Sequence, residues 1–386
     1  MNIIQKVKES LFPRINPLPA GMYHYQSPLE DESNLRYHLR LEADGSGILI
    51  VNASTVLHLN QTAAEFAYYM IQGESQEVTA DTVAKRYRVP KEQALTDYLE
   101  FKDQLDTMMN TTDLDPVTFF GFERITPYST AISAPYRMDL ALTYQTTTDP
   151  NEHVAPTNRV KRELTTDEWS SILDKLWQAG IPHVNFTGGE PTLRPDLVDI
   201  IMYAEKLGMV TGLLSDGTRL TEKNYLHHLL RSGLDHIMLL LDPQSEESWE
   251  ALRDCLAEDI YITVHLTLTV NNQDLMKDTI DKLADMAVES ISISTDTLHL
   301  KTQLEQLQQY IGEKQITLVW DLPVPYSSFN PVALETINDE DNIVGAGKAW
   351  LYVEPDGDVL EAQGIPEVWG NLLTDSWDTI WNNKQS

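Results

Sequence analysis

The residues best suited to holding a ligand lie in a turn, Gly188-Gly189-Glu190-Pro191. The turn follows a short apolar run, His183 to Thr187, which is typical of a buried strand. A pair of glycines lets the backbone adopt conformations that other residues avoid. An acid and a proline come next, and a helical pattern begins at Asp196. A strand, a glycine turn, an acid and a helix in this order indicate the ligand-binding end of an α/β sheet.

The residues around the turn carry a family resemblance. Glu163-Leu164-Thr165-Thr166 precedes the turn, and Leu213-Leu214-Ser215-Asp216-Gly217 follows it. Together these segments resemble radical S-adenosylmethionine (SAM) proteins over roughly residues 138–270. The resemblance implies a partial barrel and SAM as a cofactor. It also implies the residues that contact SAM, namely Gly188, Gly189, Glu190 and Pro191 at the methionyl group and Ser215 and Asp242 at other polar parts.

The same family carries Cys-x-x-x-Cys-x-x-Cys in the loop after the first barrel strand. Its three thiolates hold a 4Fe–4S cluster, because soft, anionic sulfur binds iron strongly. In this chain the three positions correspond to Thr146, Pro150 and His153. The single cysteine, Cys255, lies in an apolar helical pattern and is expected in the core. We therefore expect no metal site and no 4Fe–4S cluster.

The elements that position the turn form a repeating pattern. Strands and amphipathic helices alternate over residues 137–320, which predicts a parallel sheet with right-handed crossovers. Six such units predict an α/β fold, a partial (β/α)6 TIM-like barrel of the radical SAM type. Polar residues after the strands are expected to converge on one cavity at the barrel mouth. These are Thr143, Glu190, Ser215, Asp216, Asp242, Thr269, Asn271, Ser294, Asp296 and Asp321.

A smaller α+β segment precedes the barrel. Residues 35–41 alternate apolar and polar side chains, two short strands follow, and three helical patterns extend to residue 109. This order predicts a winged-helix-like module, and the run from Val56 to Glu65 resembles a PqqD-type peptide recognition domain. The resemblance implies that a leader-type peptide adds to the edge strand and packs against the third helix. The residues involved would be Thr55, Val56, Leu57, His58, Tyr98 and Phe101. The alternative is a packing module without a peptide partner.

Composition divides the chain into five segments. We expect an arm at 1–34, the PqqD-like domain at 35–109, a linker at 110–137, the barrel at 138–322 and a C-terminal extension at 323–386. The extension contains a hairpin around Pro355-Asp356-Gly357. It resembles the extension of peptide-modifying radical SAM proteins, but its strand from Val359 to Gln363 has no cysteine. An auxiliary cluster is therefore not expected.

The net charge and the hydropathy of the chain make some classes of binding partner unfavourable. The chain of 386 residues has a formal net charge of −31, and a surface of this sign repels nucleic acid and anionic membranes. No apolar run approaches the roughly 20 residues of a transmembrane helix. The first 18 residues lack the apolar core of a signal peptide. With one cysteine, a cytoplasmic location is expected.

Three functional hypotheses follow. The first is a non-catalytic accessory pseudoenzyme that binds a leader-type peptide and SAM and presents the peptide to a partner enzyme. The second is an active radical SAM enzyme whose 4Fe–4S cluster has atypical ligands. The third is a non-radical enzyme that uses the acidic barrel mouth. The sequence favours the first, because none of the three cluster positions carries a thiolate.

Overall fold

The computed structural model describes residues 15–28, 35–53, 55–111, 132–147, 154–336 and 345–383. They belong to two compact units, one within residues 1–131 and the other within residues 132–386. Pro150 and His153 lie outside the described residues. The finer division into five segments stays a prediction. Among the described helices, none combines the length and the apolar character needed to cross a membrane.

The first unit contains a four-stranded antiparallel sheet. Its strands, in spatial order, are β1 (Gly21–Gln26), β2 (Arg36–Leu41), β3 (Gly47–Val51) and β4 (Thr55–Leu59). The sequence analysis missed β1 within the segment interpreted as an arm. Tyr25 of β1 pairs with Tyr37 of β2, and their rings stack 6.0 Å apart. This cross-strand packing stabilises β1, and the short alternation between neighbouring prolines did not reveal it.

Three helices complete the first unit: α1 (Gln61–Ile71), α2 (Gln76–Tyr87) and α3 (Lys91–Asn110). The side chains of Asn60 and Ser75 cap the first two helices by accepting backbone N–H groups. Apolar residues of α1 and α3 pack on buried Leu39 and Leu49 of the sheet. A second apolar cluster joins the three helices.

The second unit is built on a ten-stranded sheet. Seven of its strands are parallel and follow each other in chain order: β5 (Arg137–Thr143), β6 (His183–Gly188), β7 (Val210–Ser215), β8 (His236–Leu240), β9 (Tyr261–Leu268), β10 (Ser290–Thr295) and β11 (Thr317–Leu318). Each adjacent pair from β5 to β11 is hydrogen-bonded in parallel. This is the expected alternation, because a helix crosses over between consecutive strands.

The helices of the second unit are α4 (Thr166–Gln178), α5 (Leu197–Leu207), α6 (Lys223–Arg231), α7 (Glu246–Leu256), α8 (Met276–Asp285), α9 (Lys301–Glu313) and α10 (Trp377–Asn383). The predicted capping box at the start of α4 is present: Thr165 and Glu168 each accept the other's backbone N–H.

The remaining three strands extend the sheet beyond β5. They are β12 (Trp350–Val353), β13 (Asp358–Leu360) and β14 (Val368–Asn371). The hairpin between β12 and β13 is the predicted one, with antiparallel pairing. The sequence did not predict that β12 would pair with β5 in parallel. The extension is therefore part of the same sheet as the barrel strands.

The two faces of this sheet differ in character. Alternate residues such as Leu140, Phe186 and Val264 belong to the apolar core on one face. The intervening positions carry buried polar side chains, among them Asp139 and Asn185, which hydrogen-bond to each other. The barrel interior is therefore polar, whereas the face toward the helices is apolar.

Candidate functional site

The two glycines of the turn allow β6 to approach the loop after β5. A Cβ at Gly188 would lie 2.1 Å from the carbonyl oxygen of Thr143, and a Cβ at Gly189 would lie 2.1 Å from that of Gln145. The backbone N–H of Gly189 donates to the Thr143 carbonyl at 2.8 Å, and that of Glu190 donates to Gln145 at 2.7 Å. Gly188 also has a φ of +129°, which side chains rarely tolerate. The close approach of the two backbone segments therefore requires glycine at both positions.

The Glu190 carboxylate is directed into the protein and is only 2% exposed. One oxygen accepts two hydrogen bonds from Thr192, from its backbone N–H at 3.0 Å and from its hydroxyl at 2.5 Å. The same oxygen accepts a third hydrogen bond from the Ser215 hydroxyl at 2.9 Å. The other oxygen accepts from the backbone N–H of Asp216 at 2.7 Å. Burial and the charge of Asp216 raise the pKa of Glu190 to about 8. Two of the predicted SAM contacts, Glu190 and Ser215, are thus bonded to each other.

A segment of the C-terminal extension lies on the turn. The backbone N–H of Tyr326 donates to the carbonyl oxygen of Gly188 at 2.7 Å. We call residues 323–331 the strap. Within it, the Asn330 side chain donates to the Val324 carbonyl at 2.6 Å, and Gln363 donates to the same carbonyl at 2.8 Å. These bonds fasten the strap across the carboxyl end of β6.

The Tyr326 side chain is buried in a cluster of tyrosines, an arginine and two glutamates. Its ring lies 5.4 Å from that of Tyr144, and its hydroxyl donates to Glu335. The Arg159 guanidinium contacts Glu335 at 2.9 Å and Glu354 at 3.0 Å. Burial raises the pKa of Tyr326 far above its usual range. Sequence analysis identified none of these residues, because they come from three separated segments without a shared periodicity.

A second polar network fills the barrel interior. Arg137 donates to both oxygens of Asp139, at 2.9 and 3.1 Å, and its guanidinium reaches Asp321 at 2.8 Å. Asn185 joins Asp139 to His236, whose ring nitrogen lies 3.0 Å from the amide oxygen. Burial, with the charge of Arg137, lowers the pKa of His236 to about 4. This histidine is therefore neutral at physiological pH.

His265 lies on β9 at the level of Leu240, at the carboxyl end of β8. Its two ring nitrogens lie 3.0 Å from the Ser292 hydroxyl and 3.1 Å from the Ser294 hydroxyl. Burial lowers the pKa of His265 to about 4. A neutral imidazole between two hydroxyls can accept one hydrogen bond and donate another, so this group can orient both hydroxyls.

Polar side chains that were expected at the mouth line two cavities formed by the described residues. A small cavity of about 170 Å³ is lined by Asp216, Asp242 and His265 among others. A larger cavity of about 730 Å³ is lined by Ser294 and Asp321 among others. The strap contributes walls to both cavities. Of the predicted SAM contacts, only Asp242 lines either cavity.

The cysteine and the cluster positions are placed as follows. Cys255 is fully buried on α7, in the core as predicted, and burial raises the pKa of its thiol to about 12. Thr146 is half-buried in the loop after β5. Pro150 and His153 are outside the described residues.

The residues expected to bind a peptide are only partly together. β4 is an edge of its sheet, and its residues are half-buried or, at His58, exposed. Tyr98 is 4% exposed and packs on Phe66 in the cluster that joins the three helices. Phe101 contacts this cluster and also the sheet core. Tyr98 therefore serves the packing of the helices, because its ring lies inside that cluster.

Comparison with known proteins assigns the barrel. Residues 144–261 match the family model of the radical SAM superfamily. This part of the chain is similar to radical SAM domains. The predicted α/β partial barrel is confirmed by crystal structures of SuiB from Streptococcus suis. SuiB bound to its precursor peptide SuiA has a TM-score of 0.58 at 14% identity, covering 89% of this chain and 86% of SuiB. SuiB bound to S-adenosylmethionine gives 0.58 at 16% identity, covering 91% and 87%. At these identities the likeness shows the fold alone.

Curated relatives of the radical SAM domain are peptide cyclases. A PqqA peptide cyclase of Streptomyces rochei is 31% identical over 179 residues, covering 42% of this chain and 49% of the relative. The PqqA peptide cyclase of Rhizobium meliloti (strain 1021) is 27% identical over 260 residues, covering 58% and 66%. The chain thus spans between about half and two thirds of the length of these relatives.

These relatives overturn two expectations. The hypothesis of a non-catalytic pseudoenzyme is wrong, because the homologues are named as enzymes and favour the second hypothesis, an active radical SAM enzyme. The expectation of no 4Fe–4S cluster is wrong on the same ground, because radical SAM proteins normally bind a cluster together with SAM. The donor set does not fit three-cysteine ligation, since the chain has one cysteine and it is fully buried. A cluster in this chain therefore requires ligands other than three thiolates.

Proposed function

We propose that this chain is a peptide-modifying radical SAM enzyme with atypical ligation of its 4Fe–4S cluster. The observation that carries the proposal is the similarity of the radical SAM domain to two PqqA peptide cyclases, whose name states a reaction on a peptide. The polar barrel interior supports it, because neutral His236 and His265 and the buried pair of Arg137 and Asp139 keep fixed dipoles inside the barrel.

The residues proposed to hold SAM are Gly188, Gly189, Glu190, Pro191, Ser215 and Asp242. Two facts constrain how they do so. The Gly188 carbonyl accepts from the strap, and the cavity at Asp242 measures about 170 Å³. Sites for drug-sized ligands are larger, roughly 300–1,000 Å³. We therefore propose that SAM binds when the strap has moved away from the turn.

Anaerobic reconstitution with iron and sulfide tests the enzyme proposal. We expect the full chain to retain iron and acid-labile sulfide and to show an iron–sulfur absorption band. Cys255→Ala is the matched control and should retain the same iron, because the buried Cys255 is not a ligand. His153→Ala tests one of the candidate non-thiolate ligands and should lower the retained iron. A wild-type protein that binds no iron would overturn the proposal.

We further propose that the first unit is a PqqD-like peptide recognition domain that takes up a leader-type peptide along Thr55, Val56, Leu57 and His58. Support comes from the position of β4 at a sheet edge, where unpaired backbone groups can receive another strand. Phe101 is the proposed contact on α3, whereas the burial of Tyr98 leaves it a supporting role. A separate partner enzyme and a cytoplasmic location stay predictions.

Hydrogen exchange distinguishes the two edges of this sheet. Synthetic peptides of about 20 residues, covering the open reading frames next to the gene, serve as probes. A bound peptide should slow amide exchange over residues 55–59 and leave residues 21–26 of the opposite edge unchanged, because a newly paired strand protects backbone N–H groups. Protection at residues 21–26 alone, or no protection with any peptide, would contradict this assignment.

A further inference from the structure

Several parts of the second unit form the walls of the larger cavity, and one of them is the strap, which hydrogen-bonds to the glycine turn. Ser294 and Thr295 come from β10, Trp320 and Asp321 follow β11, and Trp350 and Glu361 belong to the extension. The strap contributes Tyr326 and Asn330. A volume of about 730 Å³ falls within the range for ligand sites, roughly 300–1,000 Å³. The cavity can therefore take several residues of a peptide.

The charged side chains that line the cavity are all acidic. Four carboxylates line the cavity, those of Asp139, Asp321, Glu335 and Glu361, and the described lining residues include no lysine, arginine or histidine. Arg137 lies behind Asp139 and Asp321, and Arg159 lies behind Glu335. Within the described parts of the chain, no ion pair reaches Glu361. Two arginines thus form ion pairs with three of the four carboxylates, and four negative charges against two positive ones leave the cavity with an excess of negative charge.

Residues of the cavity walls already bind one cationic side chain, that of Arg137. The chain places the Arg137 guanidinium against Asp139 and Asp321 and 5.0 Å from the centre of the Trp350 ring. Carboxylates and an indole face form a favourable site for a guanidinium. The same types of group are exposed elsewhere on the cavity wall, where Trp320 is 65% exposed and the side chain of Asp321, which also pairs with Arg137, is 47% exposed. Glu361 lines the same cavity.

We infer that the cavity binds a lysine or arginine side chain of the substrate peptide, between Trp320, Asp321 and Glu361. The inference rests on the proposed peptide-modifying function and adds a substrate class to it. The basic side chain would anchor the peptide in the cavity next to the strap, whose residues Tyr326 and Asn330 line it. A peptide without a basic residue would lose this anchor.

Calorimetry on the full chain tests the inference with defined probes. Acetyl-Gly-Lys-Gly-amide is compared with the same peptide carrying norleucine, which keeps the alkyl chain and lacks the charge. We expect the lysine peptide to bind at least about tenfold more tightly, since one charge-assisted contact has that effect. Binding should weaken as salt is raised. Equal affinities, or no heat from either peptide, would overturn the inference.

Two variants and one small amine locate the contact. Glu361→Gln should weaken lysine-peptide binding by about tenfold, while Glu367→Gln, an exposed glutamate outside the cavity, should leave it unchanged. Trp320→Ala should also weaken it. Equal binding of 1,5-diaminopentane would overturn the peptide assignment in favour of a free amine. The titrations need neither SAM nor iron, so their failure leaves the reconstitution result standing, and a failed reconstitution leaves the binding result standing.

Discussion

The backbone N–H of Tyr326 and the carbonyl oxygen of Gly188 are joined by a 2.7 Å hydrogen bond. Gly188 belongs to the turn that resembles the methionyl site of radical SAM proteins, and Tyr326 lies in the strap. The Tyr326 ring is 3% exposed and packs on Tyr144, which follows β5. The strap thus contacts both the glycine turn and the residue that follows β5, and under the proposed function its release would open the turn to SAM.

Loosening the strap should increase the affinity for SAM. Tyr326→Ala removes the buried ring, so the strap leaves the turn more often and the competent state becomes more populated. We expect SAM to bind about tenfold more tightly and stability to fall by about 3 kcal/mol. Calorimetry with SAM and urea unfolding measure the two effects.

The control for this variant is Tyr310→Ala, which removes a half-buried tyrosine of α9 that bonds to Asp281. It should lower stability without changing SAM affinity. Asn330→Ala unfastens the strap with little loss of core and should raise SAM affinity as well. Unchanged SAM affinity in both strap variants would refute the role assigned to the strap.

Glu190 should make stability depend on pH. Its pKa is about 8 in the folded chain and ordinary in the unfolded chain. Between these values the folded state binds the extra proton, so stability falls as pH rises from about 4.5 to 8. In Glu190→Gln this decline should be smaller than in the wild type, although the amide beside the Asp216 N–H lowers stability at every pH. Urea unfolding at pH 5, 6, 7 and 8 measures the slopes. Exposed Glu250→Gln should keep the wild-type slope, and an unchanged slope in Glu190→Gln would show that its hydrogen-bond donors keep the carboxyl ionised.

The glycine turn should not tolerate a methyl group. In Gly188→Ala and Gly189→Ala the new Cβ would lie 2.1 Å from a backbone oxygen, so the strand and the loop must separate. Each change should cost about 3 kcal/mol or more. Gly312→Ala is the matched control, because its Cβ meets nothing within 4 Å and it lies in α9. It should stabilise by roughly 0.5–1 kcal/mol. Thermal melts of the three variants settle the comparison, and equal melting temperatures would contradict the close approach.

Arg137 should stabilise the folded state through its ion pairs in the barrel interior. Arg137→Met leaves Asp139 buried without its cation, and we expect a loss of about 3–5 kcal/mol in unfolding free energy. The double variant with Asp139→Asn should recover part of that loss. Arg253→Met breaks an exposed pair with Glu246 and should cost less than about 1 kcal/mol. A single variant as stable as the wild type would show that the buried pair contributes nothing.

The repeating part of the fold could be predicted from sequence. The alternation of strands and helices has a local period, and the Gly-Gly-Glu-Pro turn has a local pattern, so both are visible in a short window. Pairing between distant segments has no such period. The contact of Tyr326 with Gly188, the parallel pairing of β12 with β5, and the ion pair of Arg159 with Glu335 therefore appear only in the folded chain.

Function was harder to predict than fold. The sequence has one cysteine, so a cluster held by three cysteine thiolates is excluded in this chain. The further step, from missing thiolates to a protein without catalysis, was wrong because a ligand set can change while an enzyme family persists. The candidate SAM contacts Glu190 and Ser215 also proved to bond each other, since a sequence pattern does not show where a side chain is directed.

The pairing of β12 with β5 has a consequence for synthesis on the ribosome. Tyr144, just after β5, bonds to Glu354, which lies 210 positions later in the chain. While the intervening strands are translated, β5 keeps one edge unpaired, and an open edge of apolar residues invites pairing with other chains. Ribosome pausing before residue 350 would prolong this exposure. Slow translation in that window should therefore lower the yield of folded protein more than slow translation anywhere after it.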